Sequence, residues 1–276
     1  MKSTIETVTP DIAKRYLRIN GHNRPISKGV VEKYAYAMIA EQWELNGEPI
    51  ILDENNVLMD GQHRLQAVVM ADIPVDMLIV TGVNKKCFDT INTGKNRSAS
   101  DVLSIEGFAP NTARIAASTA RLNINFNRKT GRINTGVLAS ARASNHHVSE
   151  HVRGNVELVD AVEHILSYPT RNSPIQGGWA AFLLLLMREQ EPDLADEYMQ
   201  QIMTGKLLDD ADPAYHVRLR LERNERAKTR KMSQFLKACV VSKGWYYFLK
   251  GTFPSGDNAH ANAFKQLDHA FQVYLN

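Results

Sequence analysis

The stretch that most restricts the fold runs from Glu48 to Val68, EPIILDENNVLMDGQHRLQAV. Two short apolar runs, Pro49 to Leu52 and Val57 to Met59, flank the polar turn Asp53 to Asn56, a pattern that predicts a strand hairpin. Leu65, Val68 and Val69 then repeat at helical spacing, so a helix is expected from about Gly61 to Ala71. A further strand is expected through Val75 to Val80. Upstream, Thr9-Pro10 has the form of a helix start, a hydroxyl followed by a proline that needs no amide partner. Ile12, Tyr16 and Ile19 give that helix a short apolar face, and Gly21 to Pro25 ends it. Ser27 can cap a second helix, whose Val30, Val31, Tyr34 and Met38, with Trp43 nearby, mark the buried side. Helix and strand alternate through this part of the chain, so it must be a small mixed domain.

Beyond Ser98 the pattern changes. Helical periodicity appears near 99–106, 110–126, 152–166, 174–190 and 193–204, then in one long helix over 214–249 and a last one over 258–275. Strand signal is nearly absent. The expected fold class is therefore α+β: a mixed N-terminal domain over residues 1–98 and an all-helical domain over 99–276.

Bulk properties exclude several classes. With 276 residues, 43% hydrophobic and 23% charged, the chain can bury a sizeable core as a globular protein. The longest apolar run, Trp179 to Met187, is about half of what a membrane span needs. The first ten residues, MKSTIETVTP, hold no apolar stretch of signal-peptide type. Cys87 and Cys239 lie far apart, without a metal-type spacing, and read as free thiols of a reducing cytoplasm. The excess of 33 basic over 30 acidic residues permits nucleic-acid contact without requiring it.

The turn DGQHRL admits two readings. In one, Asp60 caps the helix, the apolar residues fill the core, and His63 and Arg64 are solvated. In the other, the turn holds an anion. A helix N-terminus carries unpaired N–H groups and about half a positive charge, Gly61 allows close approach, and His63 and Arg64 add side-chain donors. Two other segments repeat this chemistry before a helix: GHNRPIS with Asn23 and Arg24, and DTINTGKNRSASD with Asn92 and Arg97. Three such pieces converging would form a polyphosphate pocket.

The order of these segments resembles the N-terminal domain of the ParB and sulfiredoxin superfamily, over roughly residues 5–100. The hairpin with its DGQHRL turn is the specific part. The resemblance is nearest to ParB-like proteins of phages and actinobacteria. It implies a bound nucleoside triphosphate, CTP or ATP, with Mg²⁺. Gly61, Gln62, His63 and Arg64 would lie on the phosphates, Asn23 and Arg24 would reach the same ligand, and Asn92 and Arg97 would close it. Sulfiredoxins carry a cysteine inside this turn, where Gln62 stands, so sulfinic-acid repair is not expected. Chromosome-partitioning ParB continues into a helix-turn-helix. Residues 99–121 occupy that place, but their glycine and apolar spacing fit the motif poorly. The implied partners are the nucleotide, DNA and a second copy of the chain, with no membrane, in the cytoplasm of a cell or of a phage host.

Three further groups merit attention. The segment VRLRLERNERAKTRK, 217–231, holds seven basic residues, and Arg223, Arg226 and Arg230 are its candidates for phosphate-backbone contact against a plain solvated surface. NHHVSEH, 145–151, spaces His147 and His151 as a zinc helix would, but it lacks a third ligand and reads as a loop. If the protein is instead an enzyme, an NTP hydrolase or phosphotransferase rather than a nuclease, Asp60 or Glu48 would supply the carboxylate.

Overall fold

The computed structural model describes the chain apart from residues 21, 22, 24, 92–96, 170–172, 207, 227–230, 255–262 and 265–276; for 89, 90, 137 and 138 only the backbone is described. The protein is mixed α+β, with two compact units: 1–96 with 135–142, and 97–134 with 143–276.

The first unit opens with strand β1 (Lys2–Val8) and helix α1 (Pro10–Arg18). Thr9 caps α1 by accepting from the Ile12 amide, and Pro10 takes the first helical position. Helix α2 (Lys28–Ile39), strands β2 (Ile50–Asp53) and β3 (Leu58–Asp60), helix α3 (Gln62–Ala71) and strand β4 (Val75–Val83) follow. The sheet runs β1-β4-β2-β3, with β2 and β4 parallel and the outer pairs antiparallel. Successive strand residues face opposite sides. Met77 and Ile79 of β4, Ile50 and Leu52 of β2 and Leu58 of β3 therefore join Ala13, Val31, Ala35, Met38, Leu65 and Val68 of the helices in one core. Burying side chains of this size stabilises a fold by about 1.5–3 kcal/mol each. β1 was not foreseen, because only Val8 of its residues is fully buried and the alternation is correspondingly faint.

The second unit begins with α4 (Ala99–Ile105), capped by a reciprocal Ser98–Asp101 pair, and α5 (Pro110–Asn125). Two-residue strands β5 (Phe126–Asn127) and β6 (Arg132–Ile133) interrupt the helices, so this region is not wholly helical. The chain then returns to the first unit for α6 (Val137–Arg142), which packs on α2 through a contact face containing small residues; Ala139 and Ala141 are buried.

The remaining helices all belong to the second unit: α7 (Asn145–Arg153), α8 (Val156–Leu166), α9 (Gly177–Arg188), α10 (Pro192–Thr204), α11 (Pro213–Arg226) and α12 (Gln234–Leu249). The segment read as a loop, 145–151, is α7; Ser144 accepts from the His147 amide, and Val148 and Val152 anchor one face. The single helix expected over 214–249 is two helices. Ser233 caps the second by accepting from the Leu236 amide. Most of the helix expected over 258–275 lies outside the described residues.

α9 is buried almost all round, from Ala180 to Met187, which is why its sequence is apolar on every face. It is a core helix of 12 residues, and no described helix is long and apolar enough to cross a membrane. A side chain at Gly178 would stand 2.4 Å from Ser118 Oγ, and one at Gly244 would stand 2.2 Å from Val217 Cγ2. These glycines let α9 approach α5 closely and leave room on α12 for the side chains of Val217 and Tyr198.

Candidate functional site

At the junction of β3 and α3, Gly61 has φ +100°, and a Cβ there would lie 2.3 Å from Ile50 Cδ1. Two constraints thus select glycine, the left-handed backbone and the packing of β2 beneath the turn. No side chain caps α3 at this position. Its first three side chains turn inward: Gln62 is 4% exposed, His63 7% and Arg64 9%.

Each of these side chains has a partner within the unit. Gln62 Oε1 accepts from Asn20 Nδ2 at 3.1 Å, and His63 Nε2 accepts from the Ser27 amide at 2.9 Å. Asn23 Nδ2 donates to Asn20 Oδ1 at 2.6 Å and to the Leu58 carbonyl at 2.8 Å. Asn20, Asn23 and Ser27 are therefore fastened to the β3–α3 turn by three hydrogen bonds, and the Asn23–Asn20 bond ties two of them together. Ser27 is the N-cap residue of α2 as expected, but its side chain makes no capping bond; its backbone serves His63 instead. Asn20, which joins Gln62 to Asn23, was missed by sequence reasoning, since a lone amide at a helix end carries no periodic signal.

Arg64 Nη2 donates to the Pro49 carbonyl at 2.7 Å and to Asp60 Oδ2 at 3.2 Å. Glu48 Oε2 stands 3.9 Å from Nη1, with its side chain 65% exposed, so it adds little to the pairing. The two acidic candidates, Asp60 and Glu48, thus flank one guanidinium at the end of the hairpin where β3 finishes and β2 starts. Asp60 does not cap α3; its carboxylate reaches Arg64 one turn on.

Of the three segments expected to converge, Asn23 and Ser27 of the first meet the end of β3 and the start of α3. Arg24 and Asn92 lie outside the described residues, as do Thr93 to Asn96. Arg97 belongs to the second unit, where its carbonyl accepts from Asn145 Nδ2 at 2.7 Å. Among the described residues no group of three His, Cys, Asp or Glu side chains could hold a metal ion. His147 and His151 share α7, but His151 Nε2 contacts Asn123 Nδ2 at 3.0 Å and His146 pairs with Glu150 at 3.3 Å.

In the basic segment, Arg218 turns inward, donating to the Ile202 carbonyl at the end of α10 and to Glu222. Arg223 and Arg226 are exposed in the last turn of α11, and Arg226 has only a distant Glu222 at 3.9 Å. Arg230 lies outside the described residues. α4 and α5 are joined by a short turn through Gly107, but α5 is enclosed by α4, α7, α8 and α9. Its fully exposed positions are Pro110, Asn111, Arg114 and Ser118.

Comparisons with models of known families, with curated proteins and with solved structures give no match for this chain.

Proposed function

We propose that the first unit is a nucleotide-binding module of the ParB and sulfiredoxin type, with the phosphates received at the N-terminus of α3, in a protein of phage or plasmid kind that associates with DNA. The observation that carries this reading is the convergence of the Asn23 segment on the Gly61 turn. An uncapped helix N-terminus at the end of a strand, with amide side chains gathered beside it, suits an anion. The fit is uneven. Arg64 already answers Asp60 and a carbonyl, so a phosphate would be held by the backbone of α3 first, and the guanidinium would serve it only by leaving Asp60. Bound Mg²⁺ would neutralise phosphate charge. Asp60 and Glu48 are the carboxylates within reach of that role, both now turned to Arg64.

Titration of the full chain with ATP, CTP, GTP and UTP, with and without Mg²⁺, by calorimetry tests the reading. Saturable binding of one triphosphate, weakened roughly tenfold or more in a folded Arg64→Lys variant, is the expected result. No binding of any of the four removes the proposal. The enzyme alternative, NTP hydrolysis or phosphoryl transfer, rests on Asp60 and Glu48. It requires phosphate release or transfer that falls sharply in Asp60→Asn or Glu48→Gln while thermal stability holds.

A further inference from the structure

The second unit contains a cavity of about 600 Å³ between α5, the start of α9 and the start of α12. Among the described residues its lining includes two cations, Arg114 and Lys237, and no carboxylate. Lys237 is balanced by Glu225, so the charge that favours a negative occupant is that of Arg114. A volume of this size is within the range of small-molecule sites, roughly 300–1,000 Å³.

Several donors on its wall are uncommitted. Arg114 is exposed and makes no hydrogen bond or ion pair among the described residues, and the same holds for the side chains of Asn111 and Ser118. Lys237 is 5% exposed; its ammonium donates to the Pro174 carbonyl and pairs with Glu225, which leaves one of its three N–H groups over. α9 opens with Gly177 and Gly178, whose amides stand at helix positions that have no intrahelical acceptor. The preceding amide, of Gln176, is satisfied by Gln234 Oε1 at 3.1 Å, so the two glycine amides are the ones turned loose at this helix end. Gly178 is required by the fold, because a side chain there would meet Ser118 Cβ and Oγ, and one at Gly177 would press on the end of Ile115.

From this lining we infer a second ligand site, independent of the nucleotide reading, for a small phosphorylated molecule. Arg114, the spare Lys237 proton and two consecutive helix amides supply donors from several directions, which suits the three acceptor oxygens of a phosphate monoester. Asn111, Ser118 and the free amide nitrogen of Gln234 remain for the polar body of the ligand.

The test uses the full chain with inorganic phosphate, pyrophosphate and glycerol 3-phosphate as probes and citrate as a carboxylate counterpart. Calorimetry gives affinity, and amide chemical shifts give location. The expected result is saturable binding of at least one phosphate probe with shifts at Gly177 and Gly178. Affinity should drop roughly tenfold in Arg114→Gln, and by less in Asn111→Ala. Both positions are exposed and unbonded, so the variants should fold. Four results would overturn the inference: no binding of any phosphate probe, unchanged affinity in Arg114→Gln, citrate binding as well as phosphate, or shifts confined to Gly61 and its neighbours.

Discussion

Arg64 and Arg114 each sit close to the N-terminus of a helix, one in each unit, and their surroundings differ. Around Arg64 the donors are buried and bonded to the unit's own carbonyls, carboxylate and amides. Arg114 lines a cavity, and its guanidinium has no acceptor among the described residues. A buried guanidinium held by a carbonyl and a carboxylate first maintains a fold, and any ligand must compete with those partners. A guanidinium with no partner contributes little to the fold and is available from the outset. Residue type alone does not distinguish the two; the acceptors within reach do.

The largest effect expected in this comparison belongs to Gly61→Ala. The left-handed backbone and the overlap with Ile50 together should destabilise the first unit by about 3 kcal/mol or more. Urea denaturation measures it, and a midpoint near the parent's would show that the turn is not held as described. Next comes Arg64→Ala, which leaves Asp60 and the Pro49 carbonyl without their donor and should cost roughly 2–4 kcal/mol. The matched Arg114→Ala should leave the midpoint where it is. Equal shifts for the two arginines would break the comparison outright.

A smaller effect concerns acid. Burial first, and then the nearby charge of Arg128, hold the His151 pKa below the usual imidazole value of 6.5. The native state therefore binds fewer protons there than the unfolded chain does. Stability from this group is complete above 6.5 and declines as pH falls below it, towards the native-state pKa. Replacing His151 with Gln should remove that part of the slope in midpoints measured from about pH 7.5 to 5; an unchanged slope would assign the acid sensitivity to other groups. The smallest effect on stability is expected for Arg223→Gln with Arg226→Gln, whose side chains are exposed. The midpoint should not move. If α11 touches duplex DNA, the double variant should flatten the salt dependence of binding by about two counterions.

Local chemistry made the start of α1, the hairpin and α3 legible, because Thr9-Pro10, the Asp53 to Asn56 turn and the apolar spacing of Leu65 and Val68 each act within a few residues. What the sequence does not show depends on distant partners. The glycine at 61 gives room for an anion on a local reading, and it is also required by Ile50 on another strand, which no local pattern shows. His63 and Arg64 read as either solvated or facing an anion; both are buried, with partners in Ser27, Pro49 and Asp60 that lie 4 to 36 residues away. The 214–249 pattern is continuous because α11 and α12 both bury apolar faces, and the Ser233 cap between them was overlooked. α7 has only Val148 and Val152 to mark its buried side, too few for a periodic signal.

One feature of the chain path bears on its synthesis. The segment 135–142 completes the first unit although it follows α4 and α5 of the second. A ribosome releases the chain from its N-terminus, and domains generally fold as they emerge. Here α6, the last piece of the first unit, emerges only after some forty residues of its neighbour have left the tunnel. The backbone passes between the units at 96–97, 134–135 and 142–143, so a protease nick at any one of these points leaves two other covalent connections in place. A stop codon placed after residue 98 would yield a fragment lacking the helix that covers part of α2.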